Sequence, residues 1–458
     1  MSVAAGNPVT AEVGAHILGS GGNAADAAVA MVLASCVAET VFTGLAGGGF
    51  ATYYDASTRT TCCLDFFVAV PGLGGRRSVA PREIAIDFGG QLVPYAVGAS
   101  TVAVPGVPAG LEELHRRWGR RPWKDLVAPS ITHAASGVSF APVHAKVLTT
   151  VAPAMLIGEG ERAYARNGRI LAGGATLFHP GLERALRLLA DEGASAFYTG
   201  QIAEAMVRAV GDQGDLGMAD LAAYQVSSSP ARTAAFDGVE IHARGADLDD
   251  LLGTAESLEL SDDGPELACR MVRALRGPDR RGDTTSLAVT DGDGNACAVT
   301  TSLGLSSGVW LADLGIHLNS MLGEGELVRG DEVPGRRMGS MMSPLVVIGD
   351  AGPVLIAGAA GGSRIRSALL QVLVNVIHRG MEVQEAIVAP RLNPVPGRVH
   401  VEPGFPELVL DRLAVDDEVV RWPTLDTYFG GVAAIGSTGP GADPRRGGDV
   451  RWAGGRPS

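Results

Sequence analysis

Aromatic residues make up only 5% of this 458-residue chain, too few to build binding platforms of stacked rings. Positive charge is also short: 37 Lys and Arg face 50 Asp and Glu, a formal net charge of -13. That balance disfavours nucleic acid and an anionic membrane surface as partners, and suits a small-molecule substrate. Cysteine is scarce. Cys36, Cys62, Cys63, Cys269 and Cys297 are odd in number, two of them adjacent, with no CxxC or Cys/His ligand spacing. A disulfide framework and a zinc site are therefore not expected, and buried free thiols are. No run of about 20 apolar residues lacks charges or turn residues, so no membrane span is expected. The first ten residues, MSVAAGNPVT, lack the basic start and apolar run of a secretory leader. A cytoplasmic location is the expectation, with no metal or organic cofactor.

What the chain has in quantity is glycine, 63 residues, within a composition that is 46% hydrophobic. Such a chain has the length for two or three average domains or one large unit of helices and sheets, with close-packed layers and tight turns. Thr10–Leu18 and Asn23–Val37 read as helices around Gly19-Ser20-Gly21-Gly22, the second rich in Ala. The glycine-rich stretch Thr43–Phe50 enters a strand at Ala51–Tyr54. Helices are expected at Leu111–Trp118, Pro122–Ser136, Pro180–Glu192 and Gly200–Val210. From Ala243 to Asp283 acidic runs, Gly and Pro suggest an exposed loop, where a chain is open to cleavage.

After that loop the character changes to β. Thr284–Thr290 and Ala296–Thr301 flank Asp291-Gly292-Asp293-Gly294, a strong hairpin signal. Folding the arms together sets Thr284 opposite Thr301 or Ser302, so hydroxyls cluster at the hairpin's open end. A threonine at a new N-terminus carries an α-amine of ordinary pKa near 8, so nucleophile and base sit on one residue. Threonine is also simply a good strand former, and on the pattern alone a plain Thr-rich strand is the better reading. A second hairpin, Pro344–Ile348 and Pro353–Ala357, leads into Gly358–Ser363 and a helix over Arg364–His378 with Ser363 as its N-cap. The glycines there leave N–H groups open to an oxyanion, or they form a plain strand-to-helix turn. Gly19–Ala24 matches the dinucleotide fingerprint GxGxxA, but a helix precedes it where the fingerprint needs a strand.

In order along residues 3 to about 448, the chain resembles the γ-glutamyltranspeptidase family. The residues that carry this are Gly21-Gly22-Asn23-Ala24-Ala25-Asp26-Ala27, Gly47-Gly48-Gly49-Phe50, Val104-Pro105-Gly106, Phe197-Tyr198-Thr199-Gly200 and Thr284-Thr285 with Asp291–Asn295. Ser343-Pro344, Gly361-Gly362-Ser363-Arg364, Ala389-Pro390-Arg391 and Asp443-Pro444-Arg445-Arg446-Gly447-Gly448 complete the set. The resemblance implies an α+β fold, the four-layer αββα sandwich of N-terminal-nucleophile hydrolases. It implies self-cleavage between Asp283 and Thr284, giving a large subunit 1–283 and a small subunit 284–458 that stay together as one intertwined domain. It further implies a covalent acyl-enzyme at Thr284, an oxyanion hole from Gly361 and Gly362, and Ser302 where the family keeps a threonine bonded to the nucleophile's amine.

The substrate-binding positions depart from the family. Phe67 stands where the family places an arginine for the substrate carboxylate, and a phenyl ring cannot grip a carboxylate. Arg336, Arg337 and Arg364 are the candidates to replace it. Gly304 stands in place of an asparagine, Met341 replaces one serine of a pair and leaves Ser340, and Glu324 falls where acids contact the substrate amine. The chain is also short for the family around Arg244–Arg281. The expected activity is hydrolysis of a small acyl compound that is not γ-glutamyl: an amide such as oxamate, or a C–C bond cleaved in making alkylproline antibiotic units. The alternatives are a γ-glutamyl hydrolase or transpeptidase, and an uncleaved binding protein.

Overall fold

The computed structural model describes the chain except residues 76–78, 88–91, 246–247, 278–283, 326, 331 and 455–458. In chain order the strands of its two large sheets are β1 (Ser2–Ala5), β2 (Gly48–Asp55), β3 (Thr60–Phe66), β4 (Ser227–Pro230), β5 (Arg232–Phe236) and β6 (Val239–Ala243). They continue with β7 (Thr285–Thr290), β8 (Ala296–Ser302), β9 (Leu345–Gly349), β10 (Gly352–Ala360), β11 (Gly431–Gly436), β12 (Gly439–Ala442) and β13 (Asp449–Trp452). One sheet has the order β4-β3-β2-β8-β7-β1-β13 and the other β5-β6-β9-β10-β11-β12, and adjacent strands are antiparallel.

Helices α1 (Pro8–Gly19) and α2 (Ala24–Ala38) cover the first sheet. Asn23 caps α2: its side chain accepts from the Asp26 N–H at 3.0 Å, and the Asp26 carboxylate accepts from the Asn23 N–H at 3.0 Å. Every residue of α2 is buried, which is why it is built of small apolar side chains. A Cβ on Gly14 of α1 would lie 2.4 Å from Met31 Sδ, so the two helices cross at a glycine. Farther along come α3 (Pro142–Met155), α4 (Leu251–Ser257), α5 (Gly264–Leu275), α6 (Arg364–Leu373) and α7 (Val383–Val388). Helices α6 and α7 pack on the second sheet.

The apolar interior divides accordingly. One cluster joins the first sheet to its helices, and a second joins the other sheet to its own. Between the sheets lies a small third cluster dominated by Ala4, Ala288, Ala296, Ala298, Val346, Ile356, Ala433 and Ile435. Small side chains there bring the sheets close. A Cβ on Gly358 of β10 would fall 2.0 Å from Ser286 Oγ of β7. This is the αββα sandwich expected from the sequence.

Two local expectations need correction. The stretch 243–283 is not all loop: α4 and α5 lie within it, and the acidic runs serve as their caps. Asp250 accepts from the Gly253 N–H and Asp263 from the Glu266 N–H. Their buried faces, Leu251, Leu252, Leu267 and Met271 among them, join the second core. Ser363 occupies the N-cap position of α6, but its hydroxyl caps no helix N–H, because its backbone is already helical. Past Leu373 the helix widens into a π turn over Val374–His378.

Candidate active site

The β7–β8 hairpin brings the hydroxyls together. The Asp291 carboxylate accepts from the Asp293 N–H at 2.9 Å, the Asn295 N–H at 3.0 Å and the Ala24 N–H at 3.0 Å, tying the turn to the start of α2. The register pairs Thr285 with Thr301, which sets Thr284, one residue before β7, level with Ser302. Thr284 is buried. Its Oγ1 accepts a hydrogen bond of 2.9 Å from the Gly361 N–H. Gly361 and Gly362 have φ of 125° and 61°, a left-handed backbone that favours glycine. A side chain on Gly361 would also strike Gly430 Cα at 2.9 Å. The two glycines thus join the end of β10 to α6 beside Thr284. Asp283, the residue expected on the other side of the cut, lies outside the described residues.

Ser302 is buried, and its Oγ accepts from the Gly304 N–H at 3.0 Å. The Gly47–Gly49 loop runs against this strand end: a Cβ on Gly47 would meet the Ser302 carbonyl at 2.3 Å. Gly304 has φ of 70°, and a Cβ there would lie 2.4 Å from Glu324 Oε1 and 2.9 Å from Ser320 Oγ. Ser302, Gly304 and Glu324 are therefore one continuous patch.

Phe67 and Met341 belong to a single apolar cluster. Phe67 is 1% exposed and stacks on Phe50 with ring centres 5.5 Å apart. The Arg244 guanidinium lies 3.8 Å over that Phe50 ring. It donates to the Ser340 carbonyl at 2.8 Å and the Met342 carbonyl at 3.1 Å, fixing the Ser340–Met342 segment. Of the three replacement arginines, Arg336 is exposed. Arg337 donates to Asp65 at 3.1 Å and covers Tyr224 at 4.3 Å. Arg364 donates to the Tyr428 carbonyl at 3.1 Å.

Beneath Thr284 sits a buried acid that sequence reasoning missed. Glu39, at the end of α2, is 1% exposed and accepts from Thr285 Oγ1 at 2.6 Å and Thr10 Oγ1 at 2.7 Å. Burial pushes its pKa up; the two hydroxyl donors and Arg446 oppose that. Glu39, His144, Thr284, Thr285, Asp443 and Arg446 all line one small cavity. Burial, assisted by the Arg446 charge, lowers His144 to about 4, so its ring is neutral near pH 7. The signal in the sequence was a lone acid following the largely apolar run of α2.

The stretch Asp443–Gly448 is held by a buried ion network. Arg445 binds Glu402 at 2.7 Å and Asp443 at 3.2 Å, and Arg391 binds Asp443 at 2.7 Å. All four side chains are buried. The five cysteines are free thiols. Among the described residues, no helix is long and apolar enough to cross a membrane.

A family model described as Gamma-glutamyltranspeptidase matches residues 10–263 and 255–453 of the chain. The glutathione hydrolase proenzyme of Bacillus subtilis strain 168 is 27% identical over 497 residues, spanning 90% of this chain and 84% of that protein. The acylase ACY 1 proenzyme of Pseudomonas sp. strain SE83 is 26% identical over 514 residues, spanning 94% and 89%. The crystal structure of cephalosporin acylase from Bacillus halodurans superposes with a TM-score of 0.82 at 23% identity, covering 98% of this chain and 95% of that one. This last likeness bears on the fold.

Proposed function

The chain belongs to the gamma-glutamyltranspeptidase family and is a hydrolase; from that premise we propose that it cuts itself before Thr284 and hydrolyses a small, non-γ-glutamyl acyl compound. The observation that carries this reading is the 2.9 Å contact between the Gly361 N–H and Thr284 Oγ1. It supports reading Gly361 as an oxyanion donor to a nucleophile at Thr284.

In the reaction, the α-amine freed at Thr284 takes the hydroxyl proton while Oγ1 attacks the substrate's acyl carbon. The Gly361 and Gly362 amides receive the oxyanion. Collapse expels the leaving group, which takes the proton, and leaves an ester on Thr284. Water, activated by the same amine, then releases the acid. Ser302 orients the amine. The bond broken is an amide, or a C–C bond whose leaving carbon is a stabilised carbanion, as in forming alkylproline antibiotic units.

The substrate reading rests on Phe67. Its burial against Phe50, in the apolar cluster that also holds Met341, puts an apolar side chain where a carboxylate partner would be needed. Gly304, Ser340, Met341 and Glu324 complete the acyl pocket, with Glu324 as its acid. The large and small subunits, 1–283 and 284–458, remain associated, and the enzyme works in the cytoplasm. The glutathione hydrolase name of one relative supports a second reading, turnover of γ-glutamyl donors. A γ-glutamyl-p-nitroanilide assay separates the two. Turnover at or near background is expected, and saturable release of nitroaniline would overturn the Phe67 argument.

A further inference from the structure

Phe67 is gripped through its main chain. Its N–H donates to Asp65 Oδ1 at 2.9 Å, and its carbonyl accepts from the Tyr224 hydroxyl at 2.7 Å. Glycines let the neighbouring chain close in. A Cβ on Gly48 would meet Phe67 Cα at 2.9 Å, and one on Gly106 would meet the Tyr224 hydroxyl at 2.1 Å. The Phe67 main chain cannot turn without breaking one of its two bonds, and its ring stays against Phe50.

One side chain joins the two halves of this grip. Arg337 Nε donates at 3.1 Å to Asp65 Oδ1, the same oxygen that holds the Phe67 N–H. Its Nη2 donates to the Asp65 carbonyl at 3.3 Å and to the Gln225 carbonyl. Its guanidinium also lies 4.3 Å over the Tyr224 ring. A planar guanidinium does all of this at once, because its fork of N–H groups spans several oxygens while its face covers a ring. An open cavity of about 310 Å³ borders Tyr224 and Arg337, so Tyr224 has room to swing away once Arg337 no longer covers it.

Arg337 also begins the second wall of the proposed pocket. Ala69 and Arg337 form an antiparallel bridge, and the Met338 N–H donates to the Val68 carbonyl at 3.1 Å. The stretch leading to Ser340 and Met341 therefore runs beside the stretch that follows Phe67, and Phe67 and Met341 share one apolar cluster.

We propose that Arg337 is a positioning residue for substrate choice: it locks Asp65 and Tyr224 onto the Phe67 main chain and so holds the Phe67 ring in the acyl pocket. The inference rests on the reading above that Phe67 lines that pocket. It gives Arg337 the task of holding a phenyl ring in place, in contrast to gripping a substrate carboxylate itself.

The test places para-fluorophenylalanine at position 67 alone and reads its fluorine NMR resonance in the full chain. With Arg337 present, a single resonance is expected that barely changes between light and heavy water. Arg337→Leu should shift or split it and make it sensitive to the solvent, and Tyr224→Phe should do the same. An unchanged resonance in folded Arg337→Leu overturns the proposal. An unchanged resonance in Tyr224→Phe overturns it too, even if Arg337→Leu fails to fold. The same samples are titrated with acetate, butyrate and phenylacetate, the acid products of simple acyl substrates. At least one should move the resonance saturably, and Arg337→Leu should bind that acid about tenfold more weakly. Equal affinity in the variant overturns the role of Arg337 in substrate choice. If none of the acids moves the resonance, Phe67 does not line the acyl pocket, and the substrate reading fails along with this inference.

Discussion

At the scale of single residues, Gly304 is a sharp test of the proposed pocket. Its φ of 70° and the 2.4 Å approach of a would-be Cβ to Glu324 Oε1 leave no room for a side chain. Gly304→Ala adds backbone strain and overpacking, and should lower unfolding free energy by about 1–3 kcal/mol. Urea midpoints measure this, and an unchanged midpoint would mean Glu324 does not crowd the position. With Glu324 and Ser320 already against the backbone, glycine is what fits at this position. The place of Thr284 level with Ser302 was legible from the turn, which sets the register of Thr285 with Thr301; its expected role came from the ordered motifs of the resemblance, since the strand pattern alone favoured a plain Thr-rich strand. Glu39, His144 and Arg446 were not legible as a group. They come from α2, α3 and the C-terminal stretch, and only the folded chain places them around one cavity.

At the scale of elements, the segment carrying Arg446 depends on the Glu402–Arg445–Asp443–Arg391 network. Removing one member of a buried ion network strands the others without solvent. Glu402→Ala should therefore destabilise the protein by about 3–5 kcal/mol, read by chemical denaturation. A loss under about 1 kcal/mol would show that Asp443 suffices for Arg445. Secondary structure was readable where periodicity or turn chemistry was strong. The Asp291–Gly294 turn fixed the β7–β8 register, and the apolar Ala-rich run marked α2. Reading failed around 243–283. There α4 is short, and the Asp250 and Asp263 caps of α4 and α5 were taken for loop because Asp favours both. The pairing of β7 with β1 on one side and β8 on the other also lay beyond sequence pattern. Small residues such as Ala288 and Ala298 say that something packs closely, not what.

At the scale of the whole molecule, three buried histidines set an acid limit. His144 and His179 are lowered to about 4 and His317 lies well below its ordinary value, each chiefly because burial disfavours its charge. Unfolding frees these rings to bind protons near pH 6.5. Stability should therefore be full above about pH 6.5 and fall as pH drops toward 4, by about 1.4 kcal/mol per pH unit for each histidine. A denaturation midpoint that holds constant between pH 7 and pH 5 would contradict this. Both large sheets interleave strands from before and after Thr284: β7, β8 and β13 lie in one with β1–β4, and β9–β12 lie in the other with β5 and β6. Cleavage would leave two chains that separate only on unfolding. The central claim, that this molecule makes its own nucleophile, is tested most directly by intact mass spectrometry of the purified protein under denaturing conditions. The account predicts two fragments whose masses sum to the 47.0 kDa chain plus one water, the smaller beginning at Thr284, with Thr284→Ala remaining a single species. A wild-type protein that stays one uncut 47.0 kDa chain would contradict it.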